Sequence, residues 1–321
     1  MKKVVFFVFV VLQFSYKINH AQTPSQFRVV GYVRTSDIEN GKTSGIDLGK
    51  VNYINIAFIN PDETGNFKAM PGLAAFITTA HSKNVKVLAS IGGGLAPVYF
   101  HSLLSDSLRG EFIKNAVQLV TSNHLDGIDA DLEGEYIDKN YQSFITELSA
   151  ALKQQHKLLT AAVATVYKSR YTDKALAQLD FINIMSYDKT GPWNLKNPGQ
   201  HSPYAMAVED LDYWSNTKGI AKEKLSLGVP FYGYGFGPNA PEEMSFKGIA
   251  GKYPGSEKTD SVSVTGGGVV YYNGIPTIKA KTTLALQKAG GIMIWQLLQD
   301  AAGDNSLLNV INETITNPNK Q

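Results

Sequence analysis

The chain has 321 residues, 43% hydrophobic and 18% charged, with a formal net charge of +2 and no cysteine. That length accommodates one large globular domain or two small ones. The near-neutral balance offers no basic footprint for nucleic acid or an anionic membrane surface, and the lack of cysteine excludes thiol catalysis, cysteine-ligated metals and a cysteine lipid anchor.

Lys2 and Lys3 precede the apolar run at 4–12, and Ala21-Gln22 offers a cleavage point. Residues 1–21 therefore read as a secretory signal peptide, and the protein is expected to be exported to the periplasm or the extracellular space. The run is too short for a permanent anchor, so no stable membrane insertion is expected after processing; an uncleaved tether is the alternative. Residues 22–321 read as one domain in which short apolar runs alternate with longer amphipathic segments. The strands are expected at 27–33 (FRVVGYV), 51–59 (VNYINIAFI), 84–91 (NVKVLASI), around 126–133, at 157–164 (KLLTAAVA), 179–187 (LDFINIMSY), 224–232 (KLSLGVPFY) and 290–297 (GGIMIWQL). Near-continuous Val, Ile and Ala fit strands covered on both faces of a parallel sheet. Helices are expected at 72–82, 106–121, 138–154, 203–217, 279–289 and near 306–315. Leu108, Phe112, Ala116, Leu119 and Val120 form the apolar stripe of the second, with Asp106 as its N-cap. Eight strands alternating with helices predict an α/β fold, the (β/α)8 TIM barrel, over its rival, an open doubly wound sheet. Residues 233–277 break this rhythm with Gly, Pro and Tyr, and read as a short hairpin insertion between strands seven and eight, with a turn at 265–268.

The stretch 124–136, HLDGIDADLEGEY, carries four carboxylates, Asp126, Asp129, Asp131 and Glu133. In an extended strand, alternate side chains share a face. Asp129, Asp131 and Glu133 then lie on one side, and Ile128, Ala130 and Leu132 on the other. Asp126 is out of phase, at the strand's start beside Gly127. Three acids on one side of a buried strand repel one another and lose hydration, which favours one of them staying protonated near neutral pH. That is the property a general acid needs. A hard-cation site is the competing reading, but Ile, Ala and Leu are core spacers and not the Gly and Asn turns of a calcium loop.

The spacing Asp126-x-x-Asp129-x-Asp131-x-Glu133, with Gly127 and Ile128, resembles the signature of glycoside hydrolase family 18, the chitinases and related endo-β-N-acetylglucosaminidases. Ser90-Ile91-Gly92-Gly93, at the end of strand three, resembles the family's Ser-x-Gly-Gly. Met185-Ser186-Tyr187-Asp188, ending strand six, resembles Met-x-Tyr-Asp, and Trp295 on strand eight matches the cleft-floor Trp. Tyr32, Phe58 and Trp193 match aromatic cleft positions more loosely. The resemblance spans essentially the whole chain after residue 21.

The resemblance implies substrate-assisted hydrolysis, in which the sugar's own acetamido oxygen attacks C1. Glu133 would be acid and then base, Asp131 would orient the acetamido N–H, and Asp129 would share a proton with Asp131. Tyr187 would donate to the acetamido carbonyl, and Asp188 would contact the sugar and tune the site. Trp295 would form the apolar floor, with Tyr32, Phe58, Gly92, Gly93, Met185 and Trp193 as further substrate contacts. Asp126 and Ser90 would be structural. No metal or cofactor is implied, and the six histidines show no H-E-x-x-H spacing. The expected partner is an N-acetylglucosamine-containing oligo- or polysaccharide, and the expected state a monomer. Relatives often carry a small α+β domain where this chain has its short insertion, so a more open cleft is expected. Leu132 replaces a common aromatic, Gly134-Glu135-Tyr136 replaces a common Tyr-Pro after the Glu, and Tyr232-Gly233-Tyr234 replaces a common Tyr-Gly-Arg. These differences bear on substrate choice, between chitin and the core of N-glycans. A non-catalytic glycan-binding barrel is the remaining alternative.

Overall fold

The computed structural model describes residues 27–317; the expected signal peptide lies outside them. Eight parallel strands close into a barrel: β1 (Arg28–Arg34), β2 (Tyr53–Ala57), β3 (Lys86–Gly92), β4 (Gly127–Asp131), β5 (Leu158–Val163), β6 (Phe181–Ile184), β7 (Leu225–Pro230) and, after four strands outside the barrel, β12 (Gly291–Trp295). Their order around the barrel is β1-β12-β7-β6-β5-β4-β3-β2. This is the (β/α)8 TIM barrel read from the sequence, with helices outside the strands. Alternation on β4 separates two environments. Ile128, Ala130 and Leu132 point outward into the main apolar core, where each large aliphatic side chain contributes about 1.5–3 kcal/mol of burial. Asp129 and Asp131 turn into the barrel, which also holds the fully buried Ser90, Thr160 and Asn183.

Two of the outer helices follow β3 and β4. Arg109–Ser122 and Tyr141–Gln154 stack Phe112 on Phe144 at 5.6 Å with an 8° interplanar angle. The first of these begins later than the sequence predicts. Asp106 does not cap it; its carboxylate binds the Arg109 guanidinium at 2.8 Å, and the helix start has no side-chain cap. Leu108 precedes the first turn, so it leaves the apolar stripe and is 42% exposed. Another outer helix, Ile275–Lys288, starts earlier than expected because Pro276 occupies its first turn, where a missing N–H costs nothing.

The insertion is more than a hairpin. β8 (Tyr232–Phe236), β9 (Glu243–Ser245), β10 (Ser261–Ser263) and β11 (Val269–Tyr271) form an antiparallel sheet in the order β10-β11-β8-β9, with the helix Phe246–Lys252 after β9. The single strand expected at 224–232 divides at Phe231. Its N–H bonds Trp295 in the barrel and its carbonyl accepts from Phe246 beside the small sheet, both at 2.8 Å. The expected turn at 265–268 lies between β10 and β11, where Gly266, Gly267 and Gly268 all adopt positive φ.

Candidate active site

Asp131, Glu133 and Asp188 gather at the C-terminal end of the barrel strands, the end that carries active sites in this architecture, with Asp129 behind them inside the barrel. Asp129 is fully buried and accepts four hydrogen bonds. Tyr32 Oη at 2.6 Å and Ser90 Oγ at 2.8 Å donate to Oδ2, while Thr160 Oγ1 at 2.6 Å and Asn183 Nδ2 at 3.2 Å donate to Oδ1. Burial raises its proton affinity, and these donors work against that rise. Asp131, two residues on, has the opposite surroundings. Its Oδ1 is buried with no hydrogen-bond partner among the described residues. Burial first, then the charges of Glu133 and Asp129, push its carboxyl well above the ordinary range. Glu133 follows the strand with extended backbone and is half-buried at the cleft. Burial, and after it the Asp188 charge, push its carboxyl up to about 7.

The end of β3 gives these acids their shape. Gly92 has φ +105, and a Cβ there would meet the Asp131 carbonyl oxygen at 2.2 Å; at Gly93, with φ +87, it would meet the Phe58 ring at 2.4 Å. Both glycines are buried. In this structure they let β3 close against β4 and against Phe58. Asn60 clamps the same turn, donating to the Gly92 carbonyl at 2.9 Å and accepting from its N–H at 2.7 Å.

Tyr187 is buried, and its hydroxyl reaches Met293 Sδ at 3.8 Å. Burial and the surrounding acids hold it as a neutral phenol, well above the ordinary range. Asp188 has φ +62, a left-handed conformation that Asp tolerates better than most residues. Its Oδ1 receives the Tyr232 hydroxyl and faces His201 Nδ1 at 3.3 Å. Trp295 stacks on Phe58 at 5.7 Å and leans on Tyr32 at 5.3 Å. Glu133, Met185, Tyr187, Asp188 and the 62% exposed Trp193 line one cavity. Trp193 meets Tyr234 edge-on at 5.2 Å.

Tyr32 departs from its expected place among the sugar contacts. It is 1% exposed and its hydroxyl serves Asp129. Asp126 lies at the far end of the barrel, where its carboxylate accepts from the Val87 N–H at 2.7 Å and contacts His81 at 2.8 Å. Ser90 supports Asp129 directly. Asn60, Thr160, Asn183 and His201 carry no motif in the sequence, and Tyr232 enters there only through the departure Tyr232-Gly233-Tyr234. For Thr160 and Asn183 there is a signal, a polar residue flanked on both sides by apolar ones, in LLTAAV and FINIM.

Comparison with known proteins places the chain in a family. The sequence matches the Glycosyl hydrolases family 18 profile over residues 28–300. A GH18 chitinase from the chitin utilization locus of Flavobacterium johnsoniae superposes with a TM-score of 0.83 and 36% identity, covering 92% of this chain and 95% of that one. A chitinase from Bacteroides thetaiotaomicron gives 0.78 at 27% identity, covering 92% and 99%. An endochitinase of Brugia malayi is 27% identical over 289 residues, 78% of this chain but only 56% of its own length. The chain thus spans about half the length of that curated relative. On the matched profile, which covers most of its length, the chain belongs to family 18 of the glycosyl hydrolases.

Proposed function

We propose that the chain hydrolyses β-1,4-linked N-acetylglucosamine, as chitin or chitooligosaccharides, with retention of configuration. The observation that carries the reading is the pairing of Glu133 with Asp131. One is a half-buried carboxyl poised at about 7 at the cleft, and the other a buried carboxyl with an unpartnered oxygen. In the first step the Glu133 proton passes to the glycosidic oxygen as the bond from C1 to that oxygen breaks. The acetamido oxygen of the same sugar closes on C1 to give an oxazolinium ring. Asp131 accepts the acetamido N–H and offsets the positive charge. Tyr187, kept protonated, donates to the acetamido oxygen. In the second step Glu133, now a carboxylate, takes a proton from water as that water attacks C1, which restores the acid. Asp129, holding four donors behind Asp131, shares a proton with it, so that Asp131 can turn to the acetamido group as an anion while the proton rests on Asp129; the two titrate as a coupled pair. The aromatic stack of Trp295 on Phe58 supplies an apolar floor for the sugar ring. The similarity to the Flavobacterium johnsoniae chitinase, over nearly the full length of both chains, supports the substrate class.

Export through residues 1–21 and a monomeric state belong to the same proposal. The test is hydrolysis of a chitooligosaccharide ladder by the wild type and by Glu133→Gln, which keeps the shape and removes the proton. A fall in kcat by roughly 10²-fold or more with binding retained is expected. Release of glycans from a high-mannose glycoprotein, with the ladder untouched, would redirect the substrate to N-glycans. Binding without turnover of either would leave only a lectin.

A further inference from the structure

His201 was left aside in the sequence, yet its side chain is fully buried directly behind the site. Nδ1 lies 3.3 Å from Asp188 Oδ1, and Nε2 lies 3.3 Å from the Tyr232 carbonyl oxygen. The ring packs against Tyr232 at 5.0 Å and Tyr234 at 4.9 Å, both on β8. Both oxygens are acceptors, and a neutral imidazole has one N–H to give. A proton on Nδ1 gives Asp188 its hydrogen bond, whereas a proton on Nε2 alone gives one only to the β8 backbone.

The segment around His201 is anchored from two sides. The Lys189 N–H donates to the His201 carbonyl at 2.9 Å, and Ser202 Oγ donates to the Ser186 carbonyl at 2.6 Å. Residues 186–189 and 201–202 are thus stapled together at the base of the loop that carries Trp193. Behind them, the buried Lys281 Nζ lies within hydrogen-bond distance of Ser202 O and Oγ, both at 2.6 Å, and of Asn273 Oδ1 at 2.7 Å. Asn273 in turn donates to the Ser202 carbonyl at 2.9 Å. A histidine held this firmly from behind has its ring fixed, and one ring nitrogen faces a carboxylate exposed at the cleft.

We propose that His201 is a positioning residue for hydrolysis: its Nδ1–H orients the Asp188 carboxylate, together with the Tyr232 hydroxyl, and holds that charge in fixed relation to Glu133. The inference rests on the hydrolytic reading of the site. The groups facing the ring are Asp188 from the end of β6 and Tyr232 and Tyr234 from β8, with Lys281 behind Ser202.

Two substitutions and one spectroscopic measurement on the full chain test it. His201→Leu fills the space without a donor; His201→Asn places an amide N–H near the Nδ1 position. On chitotetraose, His201→Leu is expected to lose about tenfold in kcat with KM changed less than about twofold, the factor a charge-assisted hydrogen bond commonly carries. His201→Asn is expected to stay within about threefold of the wild type. Equal losses in both variants, or none in the Leu variant, would overturn the proposal, since packing alone does not distinguish the amide from the aliphatic chain. If the Leu variant does not fold, ¹⁵N-histidine NMR of the wild type decides. A protonated Nδ1 whose shift moves on Asp188→Asn is the expected result, and a ring protonated only on Nε2 would overturn it. The NMR result does not depend on turnover, so a chain that ignores chitotetraose would sink the chitooligosaccharide reading while the site of ring protonation still judges the contact.

Discussion

Glu133 and Asp131 carry opposite burdens in folding and chemistry. Each has a folded-state carboxyl raised above its unfolded value, mainly by burial. Such a group contributes stability that is fully present below the unfolded value and is lost as pH rises through the folded one. For Glu133 that window runs from the ordinary glutamate range up to about 7. Hence Glu133→Gln should melt within error of the wild type at pH 4 and about 2–4 °C above it at pH 8, measured by calorimetry. An equal or lower Tm at pH 8 would show that Glu133 is not held in its protonated form by the fold. The same sign applies to activity: the acid is competent while protonated, so kcat/KM should fall on a basic limb near 7. The carboxylate run itself was legible, because a period of two sorts Asp129, Asp131 and Glu133 from Ile128, Ala130 and Leu132. The four donors to Asp129 come from 31 to 97 residues away in sequence, and no local pattern announces which side chain will reach across the barrel. Tyr32 shows why: a strand-end tyrosine can face either the cleft or an inward carboxylate, and here its hydroxyl serves Asp129.

At the scale of elements, the β3 end shows what a short motif contributes. Ser90-Ile91-Gly92-Gly93 supplies a donor to Asp129 and two positions where only hydrogen fits. Gly92 combines a left-handed φ with a would-be Cβ overlap on strand backbone, not on a flexible side chain. Gly92→Ala is therefore expected to cost about 3 kcal/mol or more in urea unfolding, and to lower kcat by displacing the Asp131 backbone. A loss below about 1 kcal/mol would mean that β3 can withdraw from β4 without consequence. The insertion was the element least legible beforehand. Phe246–Lys252 (FKGIAGK) holds two glycines and reads as loop, but Ser245 caps it through the Gly248 N–H at 3.3 Å and Phe246 and Ile249 bury their side chains. Tertiary packing overrides propensity there. The sheet it accompanies carries Tyr232 and Tyr234 to Asp188 and His201, so a segment that looked like a reduced appendage reaches the site.

For the whole molecule, closure of eight strands brings together residues from β1 to β12 that lie more than 250 positions apart. Strand count and order could be read from apolar runs, and the barrel follows. Strand ends could not, because β7 and β8 are separated by Phe231 alone, and the seam becomes visible only when its N–H and carbonyl part to different sheets. Asp126 sits at the opposite end from Glu133, tying the start of β4 to β3, so the four acids of one motif divide between framework and chemistry. The central claim is that the fold supplies one acid and the substrate supplies the nucleophile. It is tested most directly by following chitotetraose hydrolysis by ¹H NMR from the first turnovers, beside the fully N-deacetylated tetramer. The β-anomer appearing first, with the deacetylated tetramer inert, is the result expected. The α-anomer first, or equal cleavage of both tetramers, would contradict the claim, because an acetamido nucleophile can produce neither.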